Sequence, residues 1–307
     1  MPEQVSRNPL VSPARPQREP LDEAGVRLWA PAKINLNLLA GPAGSDGFHP
    51  LDSLVAKVTL YDRIDLQPRD DGRIIFSCNG ADCGPDEQNL ALRAAKLLVA
   101  HTDSPIPGVE VALKKHIPPG AGLGGGSSDA AAVLAGLNEM WNLQLAESEL
   151  GRLAIRLGSD VPLFLGPPAA RMTGRGELLS PVDLHPFLAV LYLPAFACNT
   201  AEVYRAFNRK AGERLRQLKL DVLVAEPPSQ WRSMLVNQLA APAMDVCAGL
   251  REEMQRLSAA GQLPVCLSGS GSAMFILCDD NAELAAIWGR LDEEMKRRCA
   301  IVRANPW

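Results

Sequence analysis

The sequence predicts an α+β fold, because strand-like and helix-like stretches cluster instead of alternating regularly. Three observations carry this. Residues 27–78 hold short β-like runs, RLWAPAKINLNLLA, SLVAKVTL, RIDLQP and RIIFSC, broken by Gly, Pro and Asp. NLALRAAKLLVAH then spaces its apolar residues at helical period with Asn89 as cap, and VEVALKKHI returns to strand. A glycine run follows and leads into helical patterns at about 127–141 and 147–157, which end at Gly158.

The second half opens on FLAVLYLP, a buried-strand pattern, and continues through helical patterns near 201–209, 231–240 and 243–260. LPVCLSGSGSAMFILCD reads as strand, tight glycine turn, strand; a helix near 281–297 and the strand AIVRA close the chain. There is no internal repeat. A chain of 307 residues with 47% apolar composition can bury a substantial core, in two domains or one elaborate one.

Composition narrows the function. Thirty-one basic against thirty-five acidic residues give a formal charge of −4, which argues against a nucleic-acid-binding surface or a polybasic membrane patch. No apolar run approaches the roughly 18 residues of a membrane span. The first 25 residues are rich in proline and charge, so a disordered tail without a signal peptide and a cytoplasmic protein are expected. Seven cysteines without a CxxC pair read as buried reduced thiols, and four histidines away from any cysteine pair give no zinc site. Nothing in the sequence sets an oligomeric state.

The most informative stretch is PPGAGLGGGSSDAAAVL, residues 118–134. Glycine loses the most backbone freedom on folding, so five glycines among seven positions mark close backbone approach or positive φ. The alanine-rich helix that follows begins with amides lacking internal partners and with the positive end of its dipole. Together they make an anion cradle for phosphate, to which Ser127 and Ser128 can donate. No lysine follows the last glycine, so this is not the commoner P-loop, and any cation facing the phosphates must come from elsewhere.

Four other stretches offer chemistry. In PAKINLN, strand alternation puts Lys33, Asn35 and Asn37 on one face, either a solvent-facing edge or the missing cation with two amides. Asp160 in LGSDVPLF is either a cap for the next short helix or a base held ionised by a lysine. SGSGSA at 268–273 is a hairpin turn or a second set of backbone donors. DGFH at 46–49 is a hairpin tip, or a stacking ring with an imidazole edge suited to a planar polar base.

PAKINLN, PPGAGLGGGSSDAA, LGSDVP and SGSGSA, in this order, resemble the GHMP kinases, small-molecule kinases with a glycine loop in place of a Walker motif, over roughly residues 27–300. Beyond the tail at 1–25, which has no part in the family pattern, the resemblance implies a ribosomal-S5-like ATP-binding domain at 26–182 and a ferredoxin-like domain at 183–307, with the cleft between them. It implies ATP and Mg2+ as cofactors and a direct phosphoryl transfer in which Asp160 and Lys33 are catalytic. It assigns the ATP loop to Pro118, Pro119, Gly120, Ala121, Gly122, Leu123, Gly124, Gly125, Gly126, Ser127 and Ser128. DGFH and GGGSS narrow the match to kinases of a small-molecule cytidine diphosphate substrate, with Phe48 and His49 on the cytosine, Tyr204 as the second stacking ring, and Asn35 and Thr200 near the reacting end. The sequence departs from that pattern at Phe48, where tyrosine is usual, at Ala43-Gly44-Ser45, where basic residues are usual, and at Ala240, where an acid is usual. Mevalonate- or homoserine-type kinases, and a nucleotide-binding regulator without catalysis, are the competing readings.

Overall fold

The computed structural model of the chain describes residues 14–21, 24–45, 47–81, 83–102, 106–210 and 226–307, the side chains of residues 209 and 210 excepted. Residues 1–13, 22 and 23 of the expected tail and Asp46 of DGFH lie outside the described residues.

A seven-stranded sheet contains β1 (Arg18–Pro20), β2 (Val26–Ala40), β3 (Leu51–Arg69), β4 (Ile74–Gly80), β5 (Gly108–Lys115), β6 (Ala169–Gly174) and β7 (Leu178–Pro181). Its order is β1-β2-β3-β5-β4. The 19-residue β3 pairs β5 with its second half and β6 with its first, and β7 flanks β6. β4 and β5 run parallel and the other pairs antiparallel.

Helices α1 (Leu90–His101), α2 (Gly125–Met140) and α3 (Glu147–Leu157) pack onto this sheet. They bury Ala94, Leu98, Leu134 and Leu137 against Leu28, Ile64, Leu66 and Val111. The small residues of α2 let it lie close: a Cβ on Gly136 would meet Leu28 Cδ1 at 2.6 Å and Leu66 Cδ1 at 2.9 Å. Asn89 caps α1 as expected, its side chain accepting from the Ala91 amide at 3.0 Å. The five-residue α4 (Val161–Leu165) follows α3.

The second sheet is antiparallel and holds β8 (Leu188–Tyr192), β9 (Cys266–Leu267), β10 (Met274–Cys278) and β11 (Cys299–Arg303), in the order β11-β8-β10-β9. Helices α5 (Thr200–Lys210), α6 (Pro228–Trp231), α7 (Ala240–Val246) and α8 (Leu250–Gly261) lie between β8 and β9 in sequence. α9 (Asn281–Arg290) and α10 (Glu293–Arg297) join β10 to β11. A strand, helices, two strands, helices and a strand, in spatial order fourth-first-third-second, give the ferredoxin-like pattern. The α+β class is borne out. The sheets share a core in which Ile34, Leu36 and Leu54 meet Leu191, Phe275 and Trp231.

Several expectations are corrected. Arg18–Pro20 of the tail adds a strand to the edge of β2, with Glu19 opposite Arg27. SLVAKVTL and RIDLQP are one continuous strand. The helix expected over 231–240 does not form; residues between α6 and α7 are irregular and tie to β2 through the amide of Leu38, which donates to Val236 O at 2.8 Å. The 243–260 helix is broken at Gly249, whose φ of 83° is left-handed, and the 281–297 helix is broken where Asp292 caps α10 by accepting from the Met295 amide at 2.7 Å. The β6–β7 hairpin had no anticipated counterpart. Buried reduced thiols are also corrected in part: Cys78–Cys83 and Cys198–Cys247 are disulfide pairs with Cα–Cα distances of 6.1 and 5.6 Å, while Cys266, Cys278 and Cys299 are free. The second pair is 49 residues apart in sequence, a proximity that spacing alone does not reveal.

Trp231 is fully buried, with its ring edge-on to Phe187 and its Nε1 donating to Glu226 O at 2.7 Å. Trp231→Ala is expected to lower unfolding free energy by about 3–5 kcal/mol, read by urea denaturation.

Candidate active site

The glycine loop explains its own composition. Gly120, Gly122 and Gly124 have φ of 66°, 77° and 70°, so alternate residues occupy the left-handed region that side chains disfavour. Space is closed as well. A Cβ on Gly122 would lie 2.2 Å from Ser268 O, and one on Gly125 would lie 2.8 Å from Ile117 Cγ2. Gly124 is the N-cap of α2, and the Ser128 amide makes the first helical bond, to Gly124 O at 2.9 Å. The amides of Gly125, Gly126 and Ser127 therefore have no helical acceptor and present donors at the positive end of a 16-residue helix.

The second glycine turn, which links β9 to β10, locks onto the first. Ala273 donates its amide to Ala121 O at 3.0 Å, and Ser268 Oγ donates to Gly122 O at 2.9 Å. Gly269 and Gly271 are also left-handed, with φ of 57° and 86°. Asn237 holds the turn from behind, its Nδ2 donating to Leu267 O and Gly269 O, both at 2.8 Å. SGSGSA is thus both a hairpin turn and a wall of the site.

β2 passes between the turns. The Lys33 amide donates to Leu123 O at 2.9 Å, and Lys33 Nζ donates to Asn35 Oδ1 at 2.5 Å. Asn35 Nδ2 donates to Ser53 Oγ at 2.8 Å, and that hydroxyl donates to Asn37 O at 2.6 Å, so the amide's orientation is fixed by a chain of bonds. The solvent-facing alternative for PAKINLN is excluded, since Lys33, Asn35 and Asn37 are all buried. A register shift against β3 between Asn35 and Asn37 breaks simple alternation, and Asn37 Oδ1 accepts from the Val236 amide at 3.1 Å. Burial lowers the pKa of Lys33, opposed by the charge of Asp160.

Asp160 precedes α4, yet its side chain accepts no capping hydrogen bond. The capping role is therefore absent, and the carboxylate lines a cleft of about 600 Å³ together with Lys33, Asn35, Gly122, Gly124 and Thr200. Phe48, His49 and Tyr204 line the same cleft. His49 Nδ1 donates to Gly41 O at 2.7 Å, which leaves Nε2 as its other polar edge. The His49 ring lies 4.9 Å from that of Tyr204 and 5.5 Å, edge-on, from that of Phe207. Burial first, and the Asp160 charge second, push the Tyr204 hydroxyl pKa up to about 12. Phe48 is 53% exposed, with the Arg175 guanidinium 4.4 Å from its ring centroid. Thr200 Oγ1 and Ser270 Oγ are hydrogen-bonded at 2.8 Å, joining the start of α5 to the β9–β10 turn.

Part of the expected loop does not face this cleft. Ala121 and Leu123 are core residues. Ser128 is buried, its Oγ has no hydrogen-bond partner, and it lines a separate cavity of about 80 Å³ with Trp29 and Phe164. Pro119, Gly120 and Gly126 are exposed, and Pro118 and Ser127 partly so.

Sequence reasoning missed Ser53, Asn237 and Arg175. For Arg175 there was a signal: Gly174 and Gly176 flank it, with φ of 72° and 110°, and mark a turn that projects it. Arg175 and Arg205 bring to the cleft cations that Ala43-Gly44-Ser45 lacks.

Residues 89–166 match the family model of the GHMP kinases N terminal domain, and residues 228–297 match that of GHMP kinases C terminal. Fold and site define the chain as a GHMP kinase, an ATP-dependent enzyme. It is 38% identical over 278 residues to 4-diphosphocytidyl-2-C-methyl-D-erythritol kinase of Pelotomaculum thermopropionicum, covering 88% of this chain and 96% of that relative. It is 36% identical over 293 residues to the Synechocystis protein of the same name, covering 87% and 91%. Within the GHMP kinases, the chain belongs to the family of the 4-diphosphocytidyl-2-C-methyl-D-erythritol kinases. A crystal structure of 4-(cytidine 5'-diphospho)-2C-methyl-D-erythritol kinase superposes with a TM-score of 0.74 at 35% identity, covering 91% of this chain and 99% of that one. A crystal structure of L. major mevalonate kinase, at 16% identity, TM-score 0.68 and coverage of 96% and 99%, shares the fold.

Gly124→Val would place a branched side chain at a left-handed position, its Cβ 2.8 Å from Phe164 Cζ and 3.1 Å from Lys33 Cγ. The variant is expected to fold, by circular dichroism, and to lose at least about tenfold in kcat/KM, more than roughly 1.4 kcal/mol of transition-state stabilisation.

Proposed function

We propose that the chain transfers the γ-phosphoryl group of ATP to the 2-hydroxyl of 4-diphosphocytidyl-2-C-methyl-D-erythritol, a step of the non-mevalonate route to isoprenoid precursors, and does so in the cytoplasm. The observation that carries this reading is that Lys33 and Asp160 open onto the same cleft as Phe48, His49 and Tyr204. One acceptor with a reacting hydroxyl at one end and a planar base at the other satisfies both groups. A mevalonate- or homoserine-type substrate has no base to occupy the aromatic end.

In this reading Asp160 accepts or orients the hydroxyl proton, because its carboxylate makes no capping bond and lines the cleft beside Lys33. Lys33, fixed by Asn35, faces Asp160 and stabilises charge developing on the transferred group. The amides of Gly125, Gly126 and Ser127 hold phosphate oxygens. Thr200 and Asn35 position the erythritol end, Arg175 and Arg205 meet the diphosphate, and His49 Nε2 reads the base edge beside the Tyr204 ring.

Mg2+ belongs to the reading as a companion of the phosphates. No group of three or more His, Cys, Asp or Glu side chains among the described residues is arranged to cage a metal. That donor set fits an ion carried on phosphate oxygens with one or two protein ligands. Ser127, at the open start of α2, would hold it; the Ser128 hydroxyl turns toward the smaller cavity. When bound, the ion neutralises charge on the β- and γ-phosphates.

The reading is tested by ATP consumption with the cytidine substrate set against mevalonate and homoserine. Preferential turnover of either of the latter two overturns the substrate assignment. Asp160→Asn is expected to lower kcat by about 100- to 10,000-fold while ATP affinity stays near wild type; a kcat within threefold of wild type would return Asp160 to a structural part. Tyr204→Ala is expected to raise KM for the cytidine substrate by an amount equivalent to roughly 1–3 kcal/mol, with KM for ATP unchanged, in steady-state kinetics.

A further inference from the structure

Beneath the glycine loop lies a cluster of charged side chains that the reaction itself does not use. Asp62 on β3, Lys115 at the end of β5 and Asp129 on the first turns of α2 are all buried, with side-chain exposures of 0%, 6% and 2%. Lys115 Nζ pairs with Asp62 Oδ2 and donates to Asp129 Oδ2 at 2.7 Å. The other oxygen of Asp62 accepts two consecutive backbone amides, that of His116 and that of Ile117, the latter at 2.9 Å. Asp129 Oδ1 has no hydrogen-bond partner, while its Oδ2 accepts from Lys115.

The sites of attachment give the cluster its meaning. His116 and Ile117 are the last residues before Pro118, where the loop begins, and Asp129 directly follows Ser128, where it ends. The cluster therefore clamps both ends of the 11-residue loop to β3, a strand in the middle of the large sheet. It also presses on the loop from below: a Cβ on Gly125 would meet Ile117 Cγ2 at 2.8 Å and Lys115 Nζ at 3.1 Å. Two buried carboxylates for one ammonium are an unusual choice where packing alone is needed, since apolar residues fill such space without desolvation cost. Burial and the neighbouring Asp62 charge hold Asp129 well above the ordinary carboxylate range, while Lys115 stays above the usual lysine value despite burial because two carboxylates flank it.

We propose that Asp62, Lys115 and Asp129 are positioning residues for the nucleotide, a buried clamp that sets the spacing between the entry and exit of the phosphate loop and so aims the first amides of α2. None of the three touches substrate in this scheme; they act through Ile117, Gly125 and the helix start. The inference rests on the reading of this loop as the ATP site.

The experiment is calorimetric titration of ATP into the full-length chain, with KM for both substrates and thermal melting on the same preparations. Asp62→Ala, which removes the acceptor of both entry amides, is expected to weaken ATP binding more than fivefold while KM for the cytidine substrate stays within twofold. Asp62→Asn keeps an oxygen for those amides and is expected to weaken ATP less than Asp62→Ala does. A melting point lowered with ATP affinity changed less than fivefold, or weakening of both substrates alike, overturns the proposal and leaves the cluster as packing. If Asp62→Ala does not fold, Asp129→Asn decides: ATP affinity lowered threefold or more at unchanged cytidine KM supports the clamp, and a smaller change overturns it. A wild-type chain that binds no ATP overturns the kinase reading and the clamp together, whereas ATP binding untouched by these variants overturns the clamp alone.

Discussion

The site depends on one close contact, the interlock of two glycine turns. Gly122 lies so near Ser268 O that no β-carbon fits between them, and the Ala273 amide and Ser268 hydroxyl bond the two turns together. One turn opens α2 on the large sheet, and the other links β9 to β10 in the small one. Their union therefore fixes one sheet against the other and makes the wall of the cleft in the same stroke. Backbone-to-backbone contact of this kind is stiffer than side-chain packing, because neither partner has rotamers to yield.

β2 turns that junction into chemistry. Its amide at Lys33 bonds the loop at Leu123 O, so the ammonium's position is referred directly to the amides of the loop. The bonds from Lys33 through Asn35 to Ser53 then remove the remaining freedom of a long side chain. Burial favours the neutral amine and a nearby carboxylate favours the charged one, and this balance links Lys33 to Asp160 across the cleft. Asp160 in turn sits at the head of α4, whose far end is held by Lys57 Nζ donating to Gly166 O at 2.8 Å. Burial depresses the Lys57 pKa to about 8, yet the ammonium lies where a helix terminus presents carbonyls.

The aromatic end is built differently. His49 is fixed by a bond to Gly41 O and by the rings of Tyr204 and Phe207, whereas Phe48 is open to solvent beneath Arg175. One wall is preorganised and the other exposed, as the proposed stacking of a planar base between them requires. The cations in this part of the cleft come from the β6–β7 turn and α5, elements far in sequence from the DGFH stretch.

Local chemistry by itself determined the backbone of the glycine loop. Alternate glycines followed by an alanine-rich helix demand left-handed backbone and free amides whatever surrounds them, and Asn89 as a cap or the α+β division follows from equally local rules. The order of PAKINLN, the loop, LGSDVP and SGSGSA pointed to the family by resemblance, not by any physical rule. Tertiary structure decided everything that required knowing what lies across a gap. It buried Lys33 instead of exposing it, turned Asn37 away at a register shift, withheld the capping bond from Asp160, directed Ser128 to another cavity and brought Cys198 to Cys247. It also broke the helices expected over 243–260 and 281–297, because a continuous apolar period does not reveal where Gly249 or Asp292 must turn the chain to cover the small sheet. The physical reason is range: turn chemistry acts over three or four residues, whereas burial, register and long-range pairing are properties of the packed chain.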